Sequence, residues 1–188
     1  MSNAATNAGN AWTSVPRWPS PGPALPAAAS YLACWFGAAG RDQAAALLAQ
    51  ASPGVPSTTA GFGERWDSAT EQRLRTLIEG CRTGVRIVLA GPEALVMCAS
   101  AVARELGAVA EELVLVATEA AGTATEYVDA PAWRRVFCAA CRASFAAEAA
   151  MAAQVTCPGC GAGLLVDHRF SRPHAAYFGW PSGIGFRR

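Results

Sequence analysis

The middle of the chain pairs short apolar runs with a segment whose apolar residues recur at helical spacing. The run VRIVLA at 85–90 is mostly apolar and β-branched, which predicts a strand buried on both faces. The next segment predicts a helix that starts with Gly91, Pro92 and Glu93 as cap, first-turn proline and first-turn acid. A second buried strand is expected at 113–118. This order predicts a right-handed βαβ unit with parallel strands.

The preceding segment has a similar alternation. SYLACWFG, from Ser30, predicts a strand, and the Ala-rich RDQAAALLAQ predicts a helix. After a looser stretch rich in Pro and Gly, an apolar stripe predicts a helix over Ser68–Glu79, with Ser68 and Glu71 as its capping box. The fold class predicted for this part is α/β, with a partial Rossmann-like parallel sheet.

Changes in composition divide the chain into three parts. We expect a flexible Pro/Ala-rich arm at 1–27, an α/β Rossmann-like domain at 28–122, and a cysteine-containing module with a C-terminal docking tail at 123–188. Trp12 and Trp18 are unusual in a solvated arm, so the arm either lies along a partner subunit or covers the chain's own domain.

Charge and hydropathy exclude several classes. The formal net charge is +1 and only 15% of the 188 residues are charged, which gives no reason to expect a nucleic acid or an anionic membrane as partner. The N-terminus lacks the basic and apolar regions of a secretory signal, so we expect a cytoplasmic protein. The uncharged run at 24–40 is broken by Pro26 and Gly37 and is too short to span a membrane.

Two CxxC motifs, CAAC and CPGC, carry the strongest chemical signal. Tight turns with this spacing can direct Cys138, Cys141, Cys157 and Cys160 to the corners of one tetrahedron around Zn²⁺ or a single iron. A disulfide frame is disfavoured in a reducing cytoplasm, and a thioredoxin-like dithiol needs one pair rather than two. Rubredoxins usually place glycine after each pair, whereas Arg142 follows the first pair here, so zinc is favoured over iron.

The other three cysteines lie in apolar sequence, and we interpret Cys34, Cys81 and Cys98 as small buried hydrophobes. Paired turns of this kind are typical of zinc ribbons, and the strands of such a ribbon are expected at RRVF and LLV. Its small core is expected to contain Val136, Phe137, Phe145, Val155 and Leu164.

Other candidate sites carry weaker signals. Gly91, Pro92 and Glu93 follow a buried strand, where open α/β sheets bind nucleotides, so they are candidate NADPH-binding residues; however, neither a GxGxxG motif nor a P-loop is present. The tail after the second cysteine pair is rich in Arg, His and aromatic residues, as protein interfaces are. No catalytic set of residues can be assembled.

The C-terminal stretch VFCAACRASF…VTCPGCGAGLLVDHRFSRPHAAYFG resembles the C-terminal domain of the small subunit of dimethylamine monooxygenase. The resemblance covers roughly 45 residues and includes an element after the ribbon that zinc ribbons in general do not have. The matching positions are Cys138, Cys141, Cys157, Cys160, His168, Ser171, Arg172, Ala176, Tyr177 and Gly179. Among them, His168, Ser171, Arg172 and Tyr177 are the candidate interface residues.

The α/β part is similar, more weakly, to the NAD(P) lobe of flavin reductases of the ferredoxin-reductase type. Those proteins have a strand that ends in Cys-Gly-Pro, whereas this chain has Ala90 before Gly91 and Pro92. No flavin-binding barrel precedes this part and no plant-type iron–sulfur spacing follows it, so we do not expect the chain to be a complete reductase.

The resemblance implies an accessory subunit of a multi-component, NAD(P)H- and O₂-dependent haem monooxygenase that demethylates dimethylamine or a similar secondary amine. The haem is then expected on a large partner subunit, and FMN and a [2Fe–2S] cluster on a reductase subunit. This chain would supply structural docking and, with NADPH, reductant binding, without being catalytic alone. The alternatives are a free-standing zinc-ribbon interaction module and a rubredoxin-like electron carrier.

Overall fold

The computed structural model describes Pro16, Trp18, residues 22–118 and residues 131–182, which form an α/β lobe followed by a ribbon module. The elements of the lobe are β1 (Ser30–Phe36), α1 (Gly37–Leu48), β2 (Ser57–Phe62), α2 (Ser68–Glu79), β3 (Val85–Gly91), α3 (Glu93–Glu105) and β4 (Leu113–Ala117). The elements of the ribbon module are β5 (Ala132–Cys138), β6 (Ser144–Ala149), β7 (Gln154–Thr156), β8 (Gly163–Ser171) and β9 (Ala176–Pro181). Trp12 and the expected boundary at 122/123 lie outside the described residues, so the three-part division stays a prediction.

The lobe is built on a parallel sheet in the order β2-β1-β3-β4, and the prediction of an α/β fold with parallel strands is confirmed. One apolar cluster lies between the sheet and α1, and a second lies between the sheet and the pair α2 and α3. Because both faces of the sheet are covered, the central strands consist of almost uninterrupted apolar residues. The Rossmann-like character of this sheet and its likeness to a ferredoxin-reductase lobe stay predictions.

Strand β2 lies in the stretch that the sequence pattern predicts as loose. Its sequence, STTAGF, contains few apolar residues, and only Ala60 is fully buried. It pairs with β1 at the edge of the sheet, where one side of a strand stays in solvent and a continuous apolar run is not needed. A Cβ on Gly61 would lie 2.7 Å from the indole nitrogen of Trp35, so the Trp35 ring packs over Gly61 where a larger residue would collide with it.

Helix α2 has the predicted bounds, but the predicted capping box is wrong. The N-cap is Asp67, whose Oδ1 accepts a hydrogen bond from the Thr70 amide over 2.8 Å. This bond lowers the pKa of the Asp67 carboxyl. Ser68 is the first helical residue instead, because the carboxylate of Asp67, one position earlier, accepts from an otherwise unpaired amide of the first turn.

The ribbon module is a five-stranded sheet in the order β6-β5-β9-β8-β7, in which β5 and β9 are parallel and the other neighbours are antiparallel. The two strands predicted from RRVF and LLV lie within β5 and β8. Val136 and Leu164 are fully buried in its core, and Phe145 and Val155 pack against them. The expectation that Phe137 belongs to this core is wrong, since it follows Val136 in a strand and therefore points to the opposite face.

Among the described residues, none of the helices combines the length and the apolar character that a membrane span requires.

Candidate metal centre and the junction beside it

The four cysteines of the CxxC motifs converge at one end of the ribbon sheet. All four Sγ atoms lie within 4.8 Å of one another, and Cys138–Cys160 and Cys141–Cys157 are separated by 3.8 and 3.6 Å. A tetrahedral site with Zn–S bonds of about 2.3 Å places its sulfurs about 3.8 Å apart. The same distances are far longer than the roughly 2.05 Å of a disulfide, and the cysteines are free. The arrangement therefore fits one shared metal ion.

The two knuckles have the same backbone geometry. In the first, the Cys138 amide donates to Ala143 O over 2.9 Å and the Arg142 amide donates to Cys138 O over 2.8 Å. In the second, the Cys157 amide donates to Ala162 O over 2.9 Å and Gly161 donates to Cys157 O over 2.8 Å. Local hydrogen bonds thus direct each pair of sulfurs, which explains why spacing alone predicts the cluster.

Equivalent positions in the two knuckles carry different residues. Arg142 has φ of 64° and Gly161 has φ of 73°, so both adopt the left-handed conformation. Glycine adopts it without strain, whereas a residue with a Cβ is disfavoured there. The first knuckle therefore has an arginine, which is strained in this conformation, at the position where the second knuckle has a glycine.

The thiols of Cys157 and Cys141 differ in pKa, although they lie in the same cluster. Desolvation opposes ionisation of Cys157, but hydrogen bonds from the amides of Cys160 and Gly159 and from the neighbouring thiols together lower its pKa to about 7. The Ala143 amide lowers the pKa of Cys141, but desolvation and the neighbouring thiols outweigh it and raise the value to about 12. Four thiolates at this separation need a cation to be ionised together, and a soft divalent ion satisfies that need.

Cys138 and Cys157 are buried, whereas Cys141 and Cys160 are exposed. The cluster therefore lies at the surface of the ribbon, and the four thiols already make up a complete tetrahedral ligand set. Such closed sites are structural in general, because they leave no coordination position for a substrate.

The predicted nucleotide residues lie where the lobe meets the ribbon. Gly91 ends β3 with φ of 148°, and a Cβ there would lie 2.8 Å from both Cβ and O of Phe36. Pro92 is the N-cap of α3, and Glu93 is the first residue of that helix. The three residues are therefore at the carboxyl edge of the sheet, but Gly91 is in close contact with β1.

Glu93 is buried and its carboxylate is held by other parts of the chain. Oε1 accepts a hydrogen bond from the Tyr177 hydroxyl over 2.7 Å and lies 3.7 Å from a guanidinium nitrogen of the fully buried Arg134. Oε2 accepts from the indole N–H of Trp18 over 2.8 Å. Arg134 also donates from Nε to Ala149 O over 2.9 Å. One carboxylate thus connects the arm, the lobe and the ribbon.

These contacts bear on two expectations. The sequence predicts that the arm either lies along a partner subunit or covers the chain's own domain. Trp18 packs on the chain's own domain. Sequence reasoning did not find Arg134, although strand alternation places it on the same face as Val136 and Cys138, and an arginine there signals a buried partner.

The predicted interface residues are placed differently from one another. Arg172 is exposed, and His168 and Ser171 are half-buried on β8. Tyr177 is buried and connects the two modules through Glu93.

The remaining cysteines lie away from the cluster. Cys34 and Cys98 are buried, as expected, and Cys81 is half-buried with its thiol donating to Leu77 O over 3.4 Å. Burial raises the pKa of Cys34 to about 12. Cys98 accepts a hydrogen bond from Arg135 over 2.9 Å, which adds a further polar contact between α3 and the ribbon.

Comparison with known proteins identifies similar sequences. Residues 135–180 match the family described as dimethylamine monooxygenase subunit DmmA-like, C-terminal domain. The chain is 34% identical over 188 residues to the heme-dependent oxidative N-demethylase delta subunit of Ectopseudomonas mendocina (strain ymp), covering 95% of this chain and 92% of that protein. No solved structure matches the chain.

Proposed function

Because the chain belongs to the family of DmmA-like dimethylamine monooxygenase subunits, we propose that it is an accessory subunit of a haem-dependent oxidative N-demethylase. The observation that carries this proposal is the similarity to a delta subunit over nearly the whole of both chains, rather than over the cysteine module alone. A free-standing zinc-ribbon module would not require the lobe to be similar as well.

The metal we propose for Cys138, Cys141, Cys157 and Cys160 is Zn²⁺, with a structural role. Four thiolates at these separations fit a closed zinc site, and free cysteines are in keeping with the reducing cytoplasm that we propose as the location. When bound, the ion offsets half of the thiolate charge and stabilises the folded ribbon, by about 10 kcal/mol or more in comparable small zinc modules. The ribbon contributes a fixed surface next to the lobe.

The division of labour that we propose assigns the chemistry to other chains. The substrate is dimethylamine or a similar secondary amine. Haem belongs to a large partner subunit, and FMN and a [2Fe–2S] cluster belong to a reductase subunit, so this chain has structural and docking roles. This division agrees with the closed ligand set of the cysteine cluster, which leaves no position for a substrate.

Binding of NADPH at Gly91, Pro92 and Glu93 is a separate part of the proposal. Its support is the position of these residues at the carboxyl edge of a parallel sheet, next to a helix N-terminus. Both oxygens of Glu93 accept hydrogen bonds within the chain. Titration of the purified full chain with NADPH tests it, and absence of binding at millimolar NADPH would remove this part without affecting the subunit role.

Co-expression tests the subunit role. The full chain, tagged, is expressed with the haem and reductase chains of its own system, and we expect them to co-purify in fixed stoichiometry. Formaldehyde release from dimethylamine with NADPH and O₂ should require the complete set. Two results together would contradict the proposal. The tagged chain would purify without any haem-containing protein, and formaldehyde release would be undiminished when this chain is left out.

Metal analysis and the visible spectrum separate zinc from the rubredoxin-like alternative. A colourless chain with one zinc per polypeptide agrees with the structural role, whereas a coloured chain with one iron would favour electron transfer.

A further inference from the structure

A row of aromatic rings crosses the outer face of the ribbon sheet, opposite the core that contains Val136. The ring of His174 stacks on Phe137 at 4.4 Å, Phe137 meets Phe178 edge-on at 5.7 Å, and Phe178 stacks on Trp180 at 5.7 Å. Phe137, Phe178 and Trp180 are half-buried and do not belong to the ribbon core. The rings therefore hold one another in place on a face that the core does not use.

Exposed apolar side chains extend this row. Leu165 on β8 is opposite Trp180 in the strand register and is 41% exposed. Trp133 is on the same face of β5 as Phe137 and is 60% exposed. Aromatic residues and leucine in solvent on one sheet face are typical of a surface that a protein partner covers.

The charges on and beside the row include one exposed acid, Glu148, which is opposite Trp133 in the strand register, but arginines outnumber acids there. Arg169 lies over Trp180 at 5.3 Å, and its charge is balanced by Asp167 at 2.7 Å. Arg172 and Arg142 are exposed in turns that adjoin β8 and β5, and within the described residues neither takes part in an ion pair.

The two modules also differ in formal charge. Residues 131–182 contain five arginines and two acids, a balance of +3, whereas residues 22–118 contain seven arginines and nine acids, a balance of −2. Zn²⁺ with four thiolates adds about −2 to the ribbon, which leaves the ribbon the more positive module.

Arg142 adds an independent observation. It is held in the left-handed conformation that Gly161 adopts at the equivalent position of the other knuckle. Residues in such strained conformations are often found at functional positions, since a less strained residue is readily available. A cation is thus kept in the exposed turn between β5 and β6 at a conformational cost.

We propose that the outer face of the ribbon sheet is a docking surface for an acidic surface of the haem-containing partner subunit. The aromatic row and Leu165 form the apolar centre of the contact, and Arg142 and Arg172 provide positive charge at its rim. This inference rests on the proposed function, because it requires the chain to be part of the N-demethylase complex. The positive rim makes an acidic surface the complementary one, and the apolar centre favours a protein over a polyanion.

Binding measurements with matched variants test the proposal. Leu165→Asp introduces a charge at the centre, and Val109→Asp is its control, because Val109 is 53% exposed but lies on the lobe. Arg172→Glu reverses a rim charge, and Arg82→Glu is its control on the exposed surface of the lobe. Zinc content and thermal unfolding of each full-length variant establish that the fold is intact.

We expect Leu165→Asp and Arg172→Glu to weaken binding to the haem-containing chain by roughly tenfold or more, and the two controls to change it by less than about twofold. Arg172→Glu should also slow association and reduce its dependence on salt, because a rim charge acts through electrostatic steering.

Folded variants that bind the haem-containing chain as tightly as the wild type would overturn the docking surface while the subunit role stands. The assigned partner would be overturned if the two variants kept their affinity for the haem-containing chain and instead lost binding to the reductase chain, to an RNA oligonucleotide or to phosphatidylglycerol vesicles. A wild-type chain that binds no subunit of the system would mean that the proposed function itself has failed.

Discussion

The hydroxyl of Tyr177 on β9 donates a 2.7 Å hydrogen bond to the buried carboxylate of Glu93 on α3, across 84 positions of the sequence. Arg134, which is fully buried, supplies the positive charge at 3.7 Å from the same oxygen. A buried charge with a missing partner is strongly destabilising, so the lobe and the ribbon are energetically coupled through this site.

Glu93→Gln tests this coupling. We expect the free energy of unfolding to fall by about 3 to 5 kcal/mol, because the buried Arg134 loses the negative charge of Glu93. Tyr177→Phe removes one hydrogen bond and should cost about 1 to 3 kcal/mol. Urea unfolding measures both, with the exposed Glu79→Gln as control. A loss below about 1 kcal/mol for Glu93→Gln would show that the ion pair contributes little.

Cys157→Ser removes one ligand of the metal cluster. We expect the zinc content to fall and amide hydrogen exchange to accelerate throughout β5 to β9. Because Cys98 and Ala101 pack into the ribbon core, part of α3 should also exchange faster, whereas β1, α1 and β2 should keep their protection. Mass spectrometry locates the change, with Cys81→Ser as a control outside the cluster. Unchanged exchange in the ribbon after loss of the metal would contradict a structural role.

Ionisation of the Cys34 thiol makes the free energy of unfolding depend on pH in the alkaline range. Burial raises its pKa in the folded chain from the ordinary 9.0 to about 12. Between these values the unfolded chain loses the proton while the folded chain keeps it, so stability present below pH 9 is lost as the pH rises. The loss should reach about 2 to 3 kcal/mol by pH 11.

Cys34→Ala should remove this part of the pH dependence. The difference in unfolding free energy between wild type and variant is measured in urea from pH 8 to pH 11. We expect it to move in favour of the variant as the pH rises. A difference that stays constant over this range would mean that the buried thiol ionises at its ordinary pKa.

Gly161→Ala tests the conformation of the second knuckle. No atom lies within 4 Å of the position that its Cβ would take, so the φ of 73° is the sole source of strain. We expect a loss of about 1 to 2 kcal/mol in thermal or urea unfolding of the zinc-loaded chain. Gly63→Ala is the matched control, since that site is equally open but has no positive φ. Equal stability of the two variants would argue against strain at the knuckle.

The sequence by itself determined the features that depend on near neighbours. The strands and helices of the βαβ units follow from apolar periodicity, and helix α2 has the bounds that its pattern predicts. The cluster of Cys138, Cys141, Cys157 and Cys160 follows from spacing, because each knuckle is closed by hydrogen bonds between residues four or five positions apart. Neither requires knowledge of the rest of the fold.

The tertiary structure decided the features that depend on distant residues. Edge strand β2 shows little apolar pattern of its own, because its partner β1 supplies the pairing. The outward direction of Phe137 depends on which face of β5 meets the core, and the role of Glu93 depends on partners 41 and 84 residues later in the chain. A local pattern cannot contain this information, since the free energy of burying a charge or a ring is set by whatever the fold brings next to it.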